Sequence, residues 1–405
     1  MLIDQHCHSV LAPGGQEPDD GALDDGALDG AALDDGALDD GVFASLLTES
    51  DRPPAPGCSP FGSALGLAVR RWCPPALGLP AHTEPAEYLA RRRELGTPEA
   101  GRRLLAAAGL TACLVDTGLT EAAGRPLLPL DALARLSGAR TYEVVRLESV
   151  AARVRATPGR WPEALAEELA AACAGVVAVK SVLAYRHGLA IDPRPPGRAE
   201  VVRAAERWAA QQRAAGRREG CPAARLTDPV LLRHLLWQAV GLGLPIQLHT
   251  GFGDPDLRLH LADPALLVDF VRAVEPTGVP LVLLHCYPYH RQAAWLAHCF
   301  PHVHLDVGLT LSYTGARAAE VLGEVLELAP FGKVLFSTDA YGLPELFLVG
   351  AAQYRHALGS LLAGWQRDGA CTAADAAGIQ AQLSAGNAAR LYGLDTDISA
   401  DTETT

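Results

Sequence analysis

Apolar runs of strand length recur along the chain near residues 1, 111, 141, 176, 245, 280, 303 and 333. They are near-continuous rather than alternating, as in parallel strands buried on both faces. Between them lie patterns with helical spacing, at 59–72, 84–95, 97–108, 162–172, 198–214, 228–240, 316–328, 345–365 and 373–391. Thr97-Pro98-Glu99 places a cap ahead of a proline at the first helical position. Eight strands alternating with helices predict a (β/α)8 barrel of the TIM type. The region 196–243 holds two amphipathic helices where one crossover would suffice, so one of them reads as an addition to the barrel.

One stretch fits neither period. Residues 19–41 read DDGALDDGALDGAALDDGALDDG, with Leu23, Leu28, Leu33 and Leu38 five positions apart and nine aspartates without a single base. Residues 11–41 therefore read as an acidic, low-complexity loop inserted after the first strand. Residues 1–394 read as a single barrel domain, followed by a polar, disordered tail at 395–405.

A hydrophobic fraction of 49% suits a large folded core, and the formal charge of −13 argues against nucleic acid. No apolar run reaches the length of a membrane span, and no basic region precedes an apolar core at the start. Nine cysteines without a Cys-x-x-Cys pair predict reduced, buried thiols and a cytoplasmic protein. There is no GxGxxG after a strand, no GxxxxGK[ST] and no GxSxG elbow.

The chemistry gathers at strand ends, where barrels keep their catalytic groups. Asp116, Arg146, Glu148, Lys180, His249, His285 and Asp339 all fall there. In Leu2-Ile3-Asp4-Gln5-His6-Cys7-His8, strand geometry aims His6 and His8 at one face and Cys7 at the other. With His249 and Asp339, they offer three nitrogens and a carboxylate, enough for a zinc-type shell with a place left for water. An ion there lowers the pKa of that water, and Asp339 can take its proton. His285 reads as a further ligand or as the group that polarises the substrate. Lys180, inside an apolar strand, has three readings: a carbamylated bridge between two metals, an ammonium that binds a substrate carboxylate, or a salt-bridged strand residue. Tyr185 and Arg186 follow, and the arginine's planar fork suits a carboxylate. Arg146 with Glu148 reads as a buried ion pair under the site. His302 and His304 start the seventh strand, at the opposite mouth, and read as structural.

These strand-end segments resemble the amidohydrolase superfamily, in its amidohydrolase-related (amidohydrolase 2) branch. The likeness is carried by Ile3-Asp4-Gln5-His6-Cys7-His8, Gln247-Leu248-His249-Thr250-Gly251, Leu284-His285-Cys286-Tyr287-Pro288, Phe336-Ser337-Thr338-Asp339-Ala340 and the closing Ser384–Gly393. Val179-Lys180-Ser181, Ala184–Leu189 and His249–Asp254 resemble more narrowly the amidohydrolase domain fused ahead of a glutamine synthetase in some fungal and plant proteins. The resemblance implies a zinc- or manganese-type ion, one or two per chain, held by His6, His8, His249 and Asp339 with His285 beside it. It implies hydrolysis of C–N or C–O bonds, or non-oxidative decarboxylation. The reading taken is a metal-dependent hydrolase of a small carboxylate-bearing amide, with Asp339 and His285 catalytic and Lys180, Arg186 and Tyr185 binding substrate. A decarboxylase on the same scaffold and a silent barrel partnering a glutamine synthetase stand as the alternatives. The expected partner is a small-molecule substrate, with self-association and a glutamine synthetase link left open.

Overall fold

The computed structural model describes residues 1–13, 38–214 and 225–395. Most of the acidic stretch, the arginine-rich turn after 214 and the tail lie outside the described residues. The last residues of the acidic stretch, from 38, are described. Leu38 is buried, Asp39 caps a short helix at Asp40–Ser45, and Asp40 pairs with Arg93.

Seven strands form one parallel sheet in chain order: β1 (Ile3–Cys7), β2 (Ala112–Asp116), β3 (Arg140–Arg146), β4 (Ala178–Ser181), β5 (Ile246–Thr250), β6 (Leu281–His285) and β7 (Val303–Leu305). Residues 334–338 supply the eighth stave, bonded too sparsely to count as a strand. Leu335 N–H reaches Leu305 O at 2.9 Å on one side, and Gln5 N–H reaches Phe336 O at 3.0 Å on the other. These bonds close the barrel where the sequence pattern placed its last strand. A two-residue hairpin at Glu121–Ala122 and Arg125–Pro126 was not legible as a repeat of the pattern.

Two cores result. Ile3, Ala112, Leu114, Val144, Ala178, Val282, Leu284 and Leu335 fill the barrel, and Ala385, Ala388, Ala389 and Tyr392 from the last helix plug its lower end. A larger cluster lies between the strands and the outer helices. The helices at Pro85–Leu95, Thr97–Ala108, Arg198–Ala214 and Pro229–Leu242 follow the expected periods. The helix expected from 59 starts later, at Ala64, where Ser63 caps it, and runs on to Ala76. The closing helix is broken by a π turn at Gln382–Gly386. That turn precedes Asn387, whose side-chain N–H groups donate to Phe331 O and Val334 O and tie the plug to the eighth stave. Among the described residues, no helix is long and apolar enough to cross a membrane.

Candidate metal centre

β1 begins the site. Its pairing with β2 slips in register between Asp4 and Cys7. The slip allows Gln5 and His6, neighbours in sequence, both to reach the barrel interior, while Cys7 turns outward and donates to Leu114 O. His6 is fully buried; its Nδ1 donates to Gln247 Oε1 at 2.8 Å. Gln247 is oriented in turn, since its amide N–H groups reach Gln5 O at 2.7 Å and the Tyr392 hydroxyl at 3.1 Å. His8 Nδ1 donates to Asp116 O at 3.2 Å. Both rings thus carry their proton on Nδ1 and turn an Nε2 lone pair the other way, as metal-binding histidines are held.

Those lone pairs meet Asp339. Its Oδ1 lies 3.1 Å from His6 Nε2 and 3.6 Å from His8 Nε2, and its Oδ2 lies 3.6 Å from His285 Nδ1. Ligand atoms of His6, His8 and Asp339 all fall within 4.8 Å of one another. His249 stands one ring further on, with its centroid 4.6 Å from that of His285, which is 5.7 Å from that of His6. His249 Nε2 and both ring nitrogens of His285 are buried without a hydrogen-bond partner. Buried polar atoms in proteins are rarely left so. Two imidazoles and a carboxylate within reach of one another, with the orphaned nitrogens of His285 and His249 alongside, are the donor types a divalent ion takes.

The backbone is bent to deliver these groups. His285 and Asp339 both have positive φ, 66° and 51°, in the left-handed region that costs a non-glycine residue free energy. Asp306 accepts the His285 amide at 2.8 Å and also bonds Gln5. Asp4 accepts the amide and hydroxyl of Thr338, one residue before Asp339. Asp339 N–H itself donates to His6 O at 3.0 Å. Gln247, Asp306 and Asp4 were missed as positioning residues. Each is a polar side chain in or beside an otherwise apolar run, and that is the signal that could have found them.

The electrostatics favour neutral imidazoles and an ionised carboxylate here. Burial holds His8 down at about 4 and His285 at about 3, and holds His249 well below its ordinary value. Burial works upward on Asp339, but His285, His6 and His8 overcome it and hold its carboxyl well below the usual range. Neutral imidazoles beside an ionised carboxylate need shed no proton to bind a cation. In chelator-treated protein, the ring resonances of His8 and His285 should therefore not titrate between pH 7.5 and 5. Protonation of either near pH 6.5 in an NMR titration would contradict this geometry.

A family model described as Amidohydrolase (Amidohydro_2) matches residues 148–394, more than half of the chain. The chain belongs to the amidohydrolase family. Protein fluG of Emericella nidulans is 33% identical over 231 residues, which are 54% of this chain and 26% of that protein. The chain therefore spans about a quarter of that relative's length. A Lactobacillus casei protein provisionally assigned as a metal-dependent hydrolase superposes over 98% of this chain and 96% of its own, with TM-score 0.79 and 26% identity. A uronate isomerase of Thermotoga maritima shares the fold, with TM-score 0.57 and 14% identity over 96% of this chain and 94% of its own. The family implies a divalent metal, and the residues at this amidohydrolase's strand ends fit one.

Lys180 sits at the base of the centre, buried, with Nζ 3.0 Å from His6 Nε2. Burial lowers its pKa against the pull of Asp116 and Asp339. Tyr185 packs on the His249 ring with centroids 4.5 Å apart. Gly253 allows that packing, since a Cβ there would fall 1.8 Å from the Tyr185 hydroxyl. Arg186 ends the short helix Leu183–Arg186; its Nε is buried without a partner, and among the described residues no carboxylate lies within ion-pair distance of it. The expected Arg146–Glu148 pair does not form. Arg146 pairs with Asp116 at 2.7 Å, because both leave adjacent strand ends on the same side. Glu148 instead starts the next helix and accepts from Ser181 Oγ and Val182 N–H. His302 and His304 lie at the start of β7, away from the centre, as expected of structural residues.

Proposed function

We propose that this amidohydrolase hydrolyses the C–N bond of a small amide that carries a carboxylate, with zinc or manganese as its ion. The observation that carries the reading is Asp339 set among His6, His8 and His285, with the ring nitrogens of His285 unpaired in the same space. His6, His8, His249 and Asp339 would hold the ion. A divalent ion there supplies Lewis-acid polarisation of the substrate oxygen and makes water more acidic.

The chain's own groups do the rest. Asp339, ionised, accepts a proton from water at Oδ2 and can return it to the leaving nitrogen. His285, neutral, offers an N–H to the oxygen on which negative charge develops. Gln247 and Asp306 hold His6 and His285 in register for these roles. Lys180 and Arg186 supply positive charge for the substrate's acid group, and Tyr185 borders the same space through His249. The substrate is thus a small molecule, and the free cysteines among the described residues suit a reducing compartment such as the cytoplasm.

The test is turnover of a panel of N-acyl amino acids and side-chain amides of acidic amino acids. Chelation should abolish amine release, and added zinc or manganese should restore it. Full activity in metal-stripped protein would refute the proposal, and release of CO2 without amine would replace it with a decarboxylase.

A further inference from the structure

One carboxylate beside the centre has no role in the reading above. Glu49 lies in the turn that follows the helix Asp40–Ser45. Its Oε1 accepts the Tyr313 hydroxyl at 3.0 Å, and among the described residues no cation lies within ion-pair distance of it. Tyr313 belongs to the helix Gly308–Thr314 after β7. Tyr341, two residues past Asp339, donates its hydroxyl to Thr48 O at 3.2 Å and so pins the Glu49 turn against the end of the eighth stave.

Further rings lie on the same side of the barrel. Phe252, from the loop after β5, packs edge-on against Tyr313 with centroids 5.4 Å apart. Tyr185, after β4, lies on His249. These rings come from separate loops at the strands' C-terminal ends, where barrel enzymes bind their substrates. Glu49 shares a field with Asp339: the two carboxylates, with Asp254, act on one another and on the Tyr185 hydroxyl. Burial, Asp339 and Asp254 push the Glu49 carboxyl up to about 7, against the Tyr313 hydrogen bond. A positive charge placed beside it would relieve that cost.

A carboxylate that has no cationic partner among the described residues, bonded to one tyrosine hydroxyl and held beside a second tyrosine, suits a cationic group through ion pairing. We propose that Glu49, Tyr313, Tyr341 and Tyr185 form the subsite for an ammonium group, so that the amide hydrolysed carries a free amine as well as a carboxylate. This rests on the hydrolase reading for the reaction, but the subsite itself is defined by binding. Lys180 and Arg186 take the acid and Glu49 takes the amine, which makes the substrate an amino-acid amide and the leaving product an amine.

The probes are L-glutamate and glutarate, which differ only in the ammonium group, titrated calorimetrically into the metal-loaded protein. Wild type should bind L-glutamate about tenfold or more tightly than glutarate. Glu49→Gln should remove most of that preference, with the loss on L-glutamate exceeding that on glutarate. Tyr313→Phe deletes the same hydrogen bond but keeps the charge, so it should retain the preference; melting curves report whether each variant is folded. Equal weakening of both acids by Glu49→Gln, loss of selectivity in folded Tyr313→Phe alone, or no preference in wild type would overturn the subsite. The outcomes separate the two proposals. Selective L-glutamate binding without hydrolysis of any amide defeats the reaction and leaves the subsite standing, whereas amide hydrolysis indifferent to the amine does the reverse.

Discussion

Asp339→Ala is expected to strip the bound metal from the protein and to cut turnover by about 10³-fold or more, because the proposed reaction uses this one carboxylate both as ligand and as proton acceptor. The carboxylate lies beside His6, His8 and His285 at once. Removing it leaves the three imidazoles with no shared counter-charge, and the positive-φ backbone at that position with nothing to present. Elemental analysis should show metal per chain falling toward zero in Asp339→Ala. His302→Ala should retain its metal, since that residue lies at the opposite end of the barrel. Metal retained at the wild-type level in a folded Asp339→Ala would place the ion elsewhere and dismiss the centre described above.

Glu345→Ala is expected to destabilise the fold by about 3–5 kcal/mol, through an ion pair that makes no contact with the metal centre. Glu345 is fully buried in the first turn of the long helix Pro344–Arg367. It accepts Arg92 Nε at 2.7 Å and the Tyr88 hydroxyl at 2.9 Å, and Arg92 itself lies over the ring of Phe43. Its loss strands a buried guanidinium and unpins the helices at Asp40–Ser45 and Pro85–Leu95 from the helix that follows Asp339. The paired change Arg92→Met with Glu345→Leu should recover most of the lost stability, because a well-packed apolar pair avoids the stranded charge. Chaotrope unfolding of the two variants is the measurement. A Glu345→Ala protein as stable as wild type would mean that Arg92 finds water or another partner on its own.

The sequence pattern reached the site further than it reached the supports of the site. His6, His8, His249, His285 and Asp339 were legible because each ends an apolar run, and parallel barrel strands end on one face. Lys180 was legible as an anomaly, but its 3.0 Å contact with His6 was not, since strand order alone does not say how far a lysine folds back. The partner of Arg146 was misread for a related reason. Glu148 is nearer in sequence, yet it belongs to the next helix, while Asp116 is the neighbour across the sheet.

Glu49 shows the limit most clearly. Nothing in its surroundings along the chain marks it, and only the meeting of loops after the strands from β4 onward gives it aromatic neighbours and a shared field with Asp339. What the sequence by itself determined was periodic: the strands, the helices between them and the metal-competent residues at the strand ends. Such features repeat with the backbone, so local chemistry reveals them. What only the tertiary structure decided was the set of contacts between loops and the hydrogen bonds that orient each imidazole. Those depend on register, on the slip in β1 and on barrel closure, which bring together residues hundreds of positions apart.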